Sequence, residues 1–338
     1  MTDRDTLARA FVAATDWAAA RLAPLAGDAS NRRYLRLRLD TRTAVLMDAP
    51  PEKGEDVRPF IAIAEYLTGL GLSAPRILAR DTEAGFLLLE DLGDALFARA
   101  IPADPGSEAL LYATATDLLV ALHRAAPPAG LAAYDAPVMA DMAALAFDWY
   151  AGQTTGFASE TRAAFHAEIK AVLARTAPGT PVLIQRDYHA ENLLWLPDRD
   201  GVARVGLLDF QDAMLGHAGY DLVSLLQDAR RDVPTQVEAR MIARYTAATG
   251  TDPDAFDAAY HALGAQRNLR ILGVFARLCL RDGKAHYVDL IPRVWGLLQR
   301  DLAHPALAPL RRFTDTLPAP TPDILNQLKS KCATVPHP

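Results

Sequence analysis

Apolar residues recur at helical spacing from Thr6 to Leu22, where Leu7, Ala10, Phe11, Ala14 and Trp17 share one face. After a turn cluster, Gly27-Asp28-Ala29-Ser30-Asn31, the period drops to two. Tyr34, Arg36 and Arg38 alternate with Leu35, Leu37 and Leu39, which predicts a strand with one apolar face. Thr43 to Met47 predicts a second strand, and Asp48 to Gly54 a proline-rich loop. Asp56 is placed to cap a helix running through Phe60, Ile63, Ala64 and Leu67 and ended by Gly69 and Gly71. The run Gly85 to Glu90 predicts a buried strand, which Asp91-Leu92-Gly93-Asp94 breaks.

Beyond this point the pattern turns helical. Helices are expected at Leu110–His123, Pro137–Tyr150, Glu160–Thr176, Tyr220–Gln227, Val233–Thr249 and Phe256–Arg281. The only strands expected here are Leu193–Leu196 and Val202–Leu208, joined by the turn Pro197-Asp198-Arg199-Asp200-Gly201. The last twenty residues, with Pro318, Pro320 and Pro322, predict a tail holding one short helix. The pattern predicts an α+β, two-lobed chain. A small β-rich lobe spans residues 1–93 with a hinge at its end, and a large, mainly helical lobe spans residues 94–338.

The candidate chemistry lies in Gln185-Arg186-Asp187-Tyr188-His189-Ala190-Glu191-Asn192 and Leu207-Leu208-Asp209-Phe210-Gln211. Asn192 follows Asp187 by five residues, and Asp209 ends an apolar strand seventeen residues after Asn192. This is the layout of a phosphoryl-transfer site. The first aspartate accepts the proton of the attacking hydroxyl, and the asparagine and second aspartate hold magnesium against nucleotide phosphates. An isolated Asp-x-x-x-x-Asn is ordinarily a turn. Here the hairpin carries Asn192 and Asp209 to the same end, close enough to share a cation.

Composition narrows the partners. The chain has 338 residues, half of them apolar, and a net charge of -6. That size and balance describe a globular protein with large cores. The lysines are only Lys53, Lys170, Lys284, Lys329 and Lys331, and no basic run offers a nucleic-acid footprint. No apolar run reaches membrane-spanning length, and the polar start Met1-Thr2-Asp3-Arg4-Asp5 lacks the form of a secretory signal, so a cytoplasmic protein is expected. Cys279 and Cys332 fall short of a zinc site, and Cys279 reads as a buried thiol.

With these residues in view, nearly the whole chain resembles the aminoglycoside phosphotransferase superfamily, the small-molecule branch of the protein-kinase-like fold. Several segments resemble the branch acting on the anomeric hydroxyl of amino sugars in cell-wall recycling. They include Gly27-Asp28-Ala29-Ser30 with Arg32-Arg33-Tyr34, Met47-Asp48-Ala49-Pro50-Pro51, Asp209-Phe210-Gln211-Asp212-Ala213 and Arg267 to Gly273. The resemblance implies ATP and Mg2+ as cofactors and N-acetylmuramate or N-acetylglucosamine as the small-molecule acceptor, phosphorylated at the C1 hydroxyl. It implies Asp187 as base, Asn192 and Asp209 as metal ligands, and Asp221 as support for the catalytic loop. Ser30, Asn31 and Arg33 would face the phosphates, and Glu90, Asp91 and Leu92 the adenine. A monomer is expected, with neither nucleic acid nor membrane as partner.

Two departures stand out. The strand that carries a lysine in most kinases reads Thr43-Ala44-Val45-Leu46-Met47, so Glu65 lacks its expected partner. Arg32, Arg33, Arg36 or Lys53 must then grip phosphate, although Arg36 equally suits a solvated strand face. Gln185 stands where many relatives carry histidine. For the acceptor, Arg267, Arg270, Arg277 and Arg281 fall on one helix face, either a basic wall for an anionic sugar or an ion-paired surface. Arg267 and Asn268, with His189 and Glu191 of the loop, are the candidate acceptor contacts. Phe147, Trp149 and Tyr150 could stack on a sugar or belong to the core. Two other readings remain open: a kinase of another small hydroxyl compound (an aminoglycoside, a choline-like alcohol or homoserine), and a nucleotide-binding pseudokinase.

Overall fold

The computed structural model describes residues 4–25 and 31–336. Its strands are β1 (Arg21–Pro24), β2 (Arg33–Leu39), β3 (Arg42–Asp48), β4 (Ile77–Asp81), β5 (Phe86–Glu90), β6 (Val182–Ile184), β7 (Leu193–Trp195), β8 (Val205–Leu207) and β9 (Met214–Gly216). The helices are α1 (Arg4–Ala13), α2 (Arg58–Gly69), α3 (Phe97–Ala103), α4 (Glu108–His123), α5 (Ala136–Leu145), α6 (Ser159–Thr176), α7 (Gly219–Leu226), α8 (Thr235–Thr249), α9 (Pro253–Leu280), α10 (Ile291–Leu302), α11 (Ala308–Thr314) and α12 (Pro322–Ser330). The chain forms two compact units, one of residues 1–125 with 190–213 and the other of residues 126–189 with 214–338.

The first unit is built on an antiparallel sheet of order β1-β2-β3-β5-β4. Alternation puts Leu37, Ala44, Leu46, Phe86 and Leu88 in one core cluster with Ala8 and Val12 of α1 and with Trp17. Leu87 and Leu89, pointing the other way, are buried too, which explains why β5 is a continuous apolar run. Gly85 has φ +74, and a Cβ there would sit 2.1 Å from the Ala49 carbonyl oxygen, so glycine alone fits this turn. The β7–β8 hairpin belongs to this unit through Leu207 N–H to Ser73 O (2.9 Å), Trp195 N–H to Ala95 O (2.8 Å) and the Phe60–Phe210 ring contact. α4 packs on β8.

The second unit is organised around α9, whose 28 residues are largely buried on every side. α5, α6, α7 and α10 pack against it, and β6 pairs with β9.

Several expectations are corrected. The first helix ends at Ala13 instead of continuing to Leu22. Thr15 turns the chain by accepting from Trp17 N–H and donating to Val12 O, and Arg21–Pro24 then pairs as an edge strand with β2. Ala8 and Val12, not Leu7, face inward. β4, β6 and β9 were not expected, and neither were α3, α10 and α11. The second hairpin strand starts at Val205, because Gly201–Arg204 is a 3-10 turn. The helix at Pro137 widens into a π segment, Ala146–Ala151, with Gly152 N–H bonding Phe147 O.

A Cβ at Gly273 would lie 2.3 Å from the Leu145 backbone carbon. At an exposed helical site, alanine is favoured over glycine by about 1 kcal/mol. Here the backbone contact reverses the sign, and Gly273→Ala is expected to destabilise the fold by about 1–3 kcal/mol in urea unfolding. A variant as stable as the parent would contradict this packing.

Candidate active site

In the second unit, Asp221 sits at the start of α7, where it is completely buried. Its carboxylate accepts the backbone N–H of Gln185 (2.6 Å) and of Arg186 (2.9 Å). Between these contacts and Asp187 the chain makes a tight turn, with Arg186 at φ 71 and Asp187 N–H bonded to Gln185 O. A left-handed conformation is costly for an arginine and persists only where the surroundings fix it. Burial pushes the Asp221 carboxyl up to about 7, against the pull of the two backbone donors.

The pinned turn presents Asp187 with its side chain about one-third exposed and 4.0 Å from the Arg270 guanidinium. Burial opposes the charge on Asp187, but Arg270, His189, Arg267 and Arg186 outweigh it and hold the carboxyl below its ordinary value. The group is therefore ionised at neutral pH. His189 is buried, and burial drives its imidazole down to about 4, with Asp228 opposing and Arg230 adding to the shift. Arg230 Nη1 stands 3.3 Å from His189 Nε2. A guanidinium only donates, so Nε2 accepts and the proton resides on Nδ1.

Arg267 is buried and donates to Gln227 O at 3.2 Å. Asn268 is entirely buried, with its amide spent on Gln227 Oε1 (2.8 Å) and Asp301 Oδ2 (3.0 Å). His261 Nδ1 lies 2.9 Å from the same Asp301. Of the aromatic trio, Phe147 and Tyr150 are core, the Tyr150 hydroxyl donating to Pro318 O, and Trp149 is half-buried.

In the first unit, Leu193 pairs with Leu207, and Leu208 N–H bonds Asn192 O, so the hairpin carries Asn192 and Asp209 side by side. Asn192 Nδ2 lies 3.5 Å from Asp209 Oδ2, while Gln211 Nε2 donates to Asp209 Oδ1 at 2.8 Å. Asp209 has φ 57. A carboxylate beside an amide, which also carries a carbonyl oxygen, is a hard-oxygen donor set that suits Mg2+. Among the described residues no group of three or more His, Cys, Asp or Glu could hold a metal. Glu191 is exposed.

Ser30 lies outside the described residues. Asn31 Nδ2 donates to Lys53 O at 3.3 Å. Arg33 bonds the fully buried Asp48, which Arg4 also meets at 2.6 Å. Arg32 pairs with Glu55 at 2.7 Å, and Arg36 bridges Asp91 (2.8 Å) and Asp94 (2.7 Å). Glu90 is held between Arg76 and Arg199, and Leu92 is half-buried against Gly206. Glu65 pairs with Arg80 on β4 at 3.0 Å. Tyr34 feels the charges of both Arg32 and Asp209, and with burial as the largest cause its hydroxyl is pushed above its ordinary value. Sequence reasoning missed Asp228 and Arg230. They lie in an irregular stretch with no motif, and only the fold brings them to His189.

Comparison with known proteins follows the same lines. Residues 21–259 match the phosphotransferase enzyme family. The chain is 40% identical to the N-acetylmuramate/N-acetylglucosamine kinase of Caulobacter vibrioides, across 93% of this chain and 96% of that protein. It is 38% identical to the kinase of the same name from Pseudomonas aeruginosa, across 88% and 89%. Among solved structures, choline kinase LicA from Streptococcus pneumoniae superposes with a TM-score of 0.60 at 15% identity, covering 88% of this chain and 99% of that one, a likeness of fold.

The depressed pKa of His189 has a measurable consequence. The unfolded chain takes up a proton near 6.5, and the fold refuses it until about 4. The stabilisation is therefore present above 6.5 and lost as the pH falls toward 4. Asp221 shifts the opposite way, so the comparison is with His189→Gln, which keeps Asp221. The unfolding free energies of parent and variant are expected to converge by on the order of 3 kcal/mol between pH 7 and pH 4. A gap independent of pH would refute the neutral, buried imidazole.

Proposed function

Because the chain belongs to the phosphotransferase enzyme family, we propose that it is an ATP-dependent kinase phosphorylating the anomeric C1 hydroxyl of N-acetylmuramate and N-acetylglucosamine in the cytoplasmic recycling of peptidoglycan sugars. The observation that carries the reading is the Asp187 turn, an ionised carboxylate held on strained backbone by Asp221 beside three arginines, in a chain 40% identical to a kinase named for those two sugars.

Asp187 orients the sugar hydroxyl and receives its proton. The hydroxyl oxygen forms the new bond to the γ-phosphorus while the bond to the β-phosphate oxygen breaks and ADP leaves. A carboxylate of depressed pKa is a weak base. An anomeric hydroxyl is more acidic than an ordinary alcohol, and in a loose transition state the proton moves late, so orientation matters more than basicity. Asn192 and Asp209 would hold Mg2+, which when bound neutralises phosphate charge. Arg32, Arg33 and Asn31, with Ser30, would meet the phosphates in place of the missing strand lysine, and the backbone at Glu90, Asp91 and Leu92 would meet the adenine. Residues 1–93 would serve as the nucleotide lobe and 94–338 as the catalytic lobe of a monomer. His189, Glu191 and Arg267 would face the acceptor, with Asn268 acting from behind by fixing Gln227. Among the described residues no helix is long and apolar enough to cross a membrane.

The lysine-free β3 favours one competing reading, a pseudokinase that binds nucleotide without turnover. ATP consumption across a panel of amino sugars, aminoglycosides and choline decides between them. Turnover with both N-acetylated sugars is expected, and ATP binding without turnover on any acceptor would refute the proposal. Asp187→Ala is expected to lower kcat by roughly 100- to 10,000-fold while nucleotide still binds. Asp209→Ala is expected to abolish the magnesium dependence of nucleotide binding, as read by calorimetry with and without the ion.

A further inference from the structure

The four arginines along one face of α9 have different fates. Arg281 is paired with Asp282 at 2.7 Å. Arg267 donates to Gln227 O, and Arg270 reaches Asp187. Arg277 differs from all three. Among the described residues its guanidinium makes no hydrogen bond and no ion pair, although its Nε is shut off from solvent. Asp282 already serves Arg281, and Asp148, on the π segment that packs against α9, is committed to Arg162 at 2.6 Å. Burial and the charges of Arg281 and Arg270 all disfavour the charged form of Arg277, with Asp282 alone opposing.

A half-buried cation without a counter-charge costs free energy, and a carboxylate arriving with a ligand would recover it. Arg277 lies seven residues beyond Arg270, two helical turns along the same face and roughly 10 Å along the helix axis. That interval is of the order of a hexose ring with a substituent. N-acetylmuramate and N-acetylglucosamine share the ring, the acetamido group and the anomeric hydroxyl. They differ by one group, a lactyl ether on the C3 oxygen that ends in a carboxylate.

We propose that Arg277 is the residue that reads this carboxylate and so sets the preference between the two sugars, with Arg270 marking the catalytic end of the same basic wall. The inference rests on the amino-sugar kinase reading above. Arg277 touches no reacting atom. Its contribution is to the binding of the acid.

The experiment measures kcat and KM for both sugars in the parent, Arg277→Gln and Arg277→Lys. In Arg277→Gln the ratio of kcat/KM values, acid over neutral sugar, is expected to fall about 10-fold or more, the loss of a charge-assisted contact. The change should appear in KM for N-acetylmuramate. Arg277→Lys should retain part of the ratio, since it keeps the charge without the fork. Because Arg277 has no partner to lose, Arg277→Gln is expected to melt no lower than the parent. An unchanged ratio, or a proportional loss on both sugars, overturns the inference. If the parent phosphorylates both sugars and the ratio does not move, the kinase reading stands and only the role of Arg277 falls. If the parent phosphorylates neither, both fall.

Discussion

Two backbone N–H groups donated to one buried carboxylate hold the Gln185–Asp187 turn in place. Without Asp221, the backbone N–H groups of Gln185 and Arg186 would lose their shared acceptor, and the positive φ of Arg186 would lose one of the contacts that hold it. The position of Asp187 follows from that turn, and its ionisation follows from the arginines that surround it once it is there. A carboxylate two hydrogen bonds away therefore governs a residue it does not touch, which is how strain at a functional site is usually sustained.

The first unit uses a different device. A hairpin of three-residue strands is too short to be stable alone. β7 and β8 are held by backbone bonds donated to the carbonyl oxygens of Ser73 and Ala95 and by α4. Asn192 and Asp209 thus take their relative position from a hairpin that is itself clamped by distant chain. Arginine–carboxylate pairs in the same unit act likewise: Arg33 with Asp48 ties the start of β2 to the end of β3, and Arg36 with Asp91 and Asp94 ties β2 to the segment after β5.

Much of this was legible in the residues, and the division has a physical basis. The spacing of Asp187, Asn192 and Asp209 is local, the hairpin between the last two is local, and helices such as α4, α6 and α8 are marked by uninterrupted helix-forming runs free of internal glycine and proline. What escaped depends on partners far along the chain. Arg21–Pro24 is exposed throughout and has no strand signal of its own. It is a strand because β2 offers an edge. β6 and β9 are three residues each and exist as a pair. The stripe on α9 was visible as four arginines, but their different fates were not, because the Asp187 that Arg270 reaches lies on a loop far along the chain. Asn268 looked like an acceptor contact and instead closes a buried amide–carboxylate network with Gln227 and Asp301.

The unbroken course of α9 bears on how such an enzyme could change its diet. Arg267, Arg270 and Arg277 ride on one stiff rod whose register is locked at Gly273 against Leu145. The intervals between them are quantised by the helical rise and cannot be stretched by reshaping a loop. New acceptors would be reached by swapping a side chain for a longer, shorter or uncharged one at a fixed address, so selectivity in this scaffold should evolve in discrete steps.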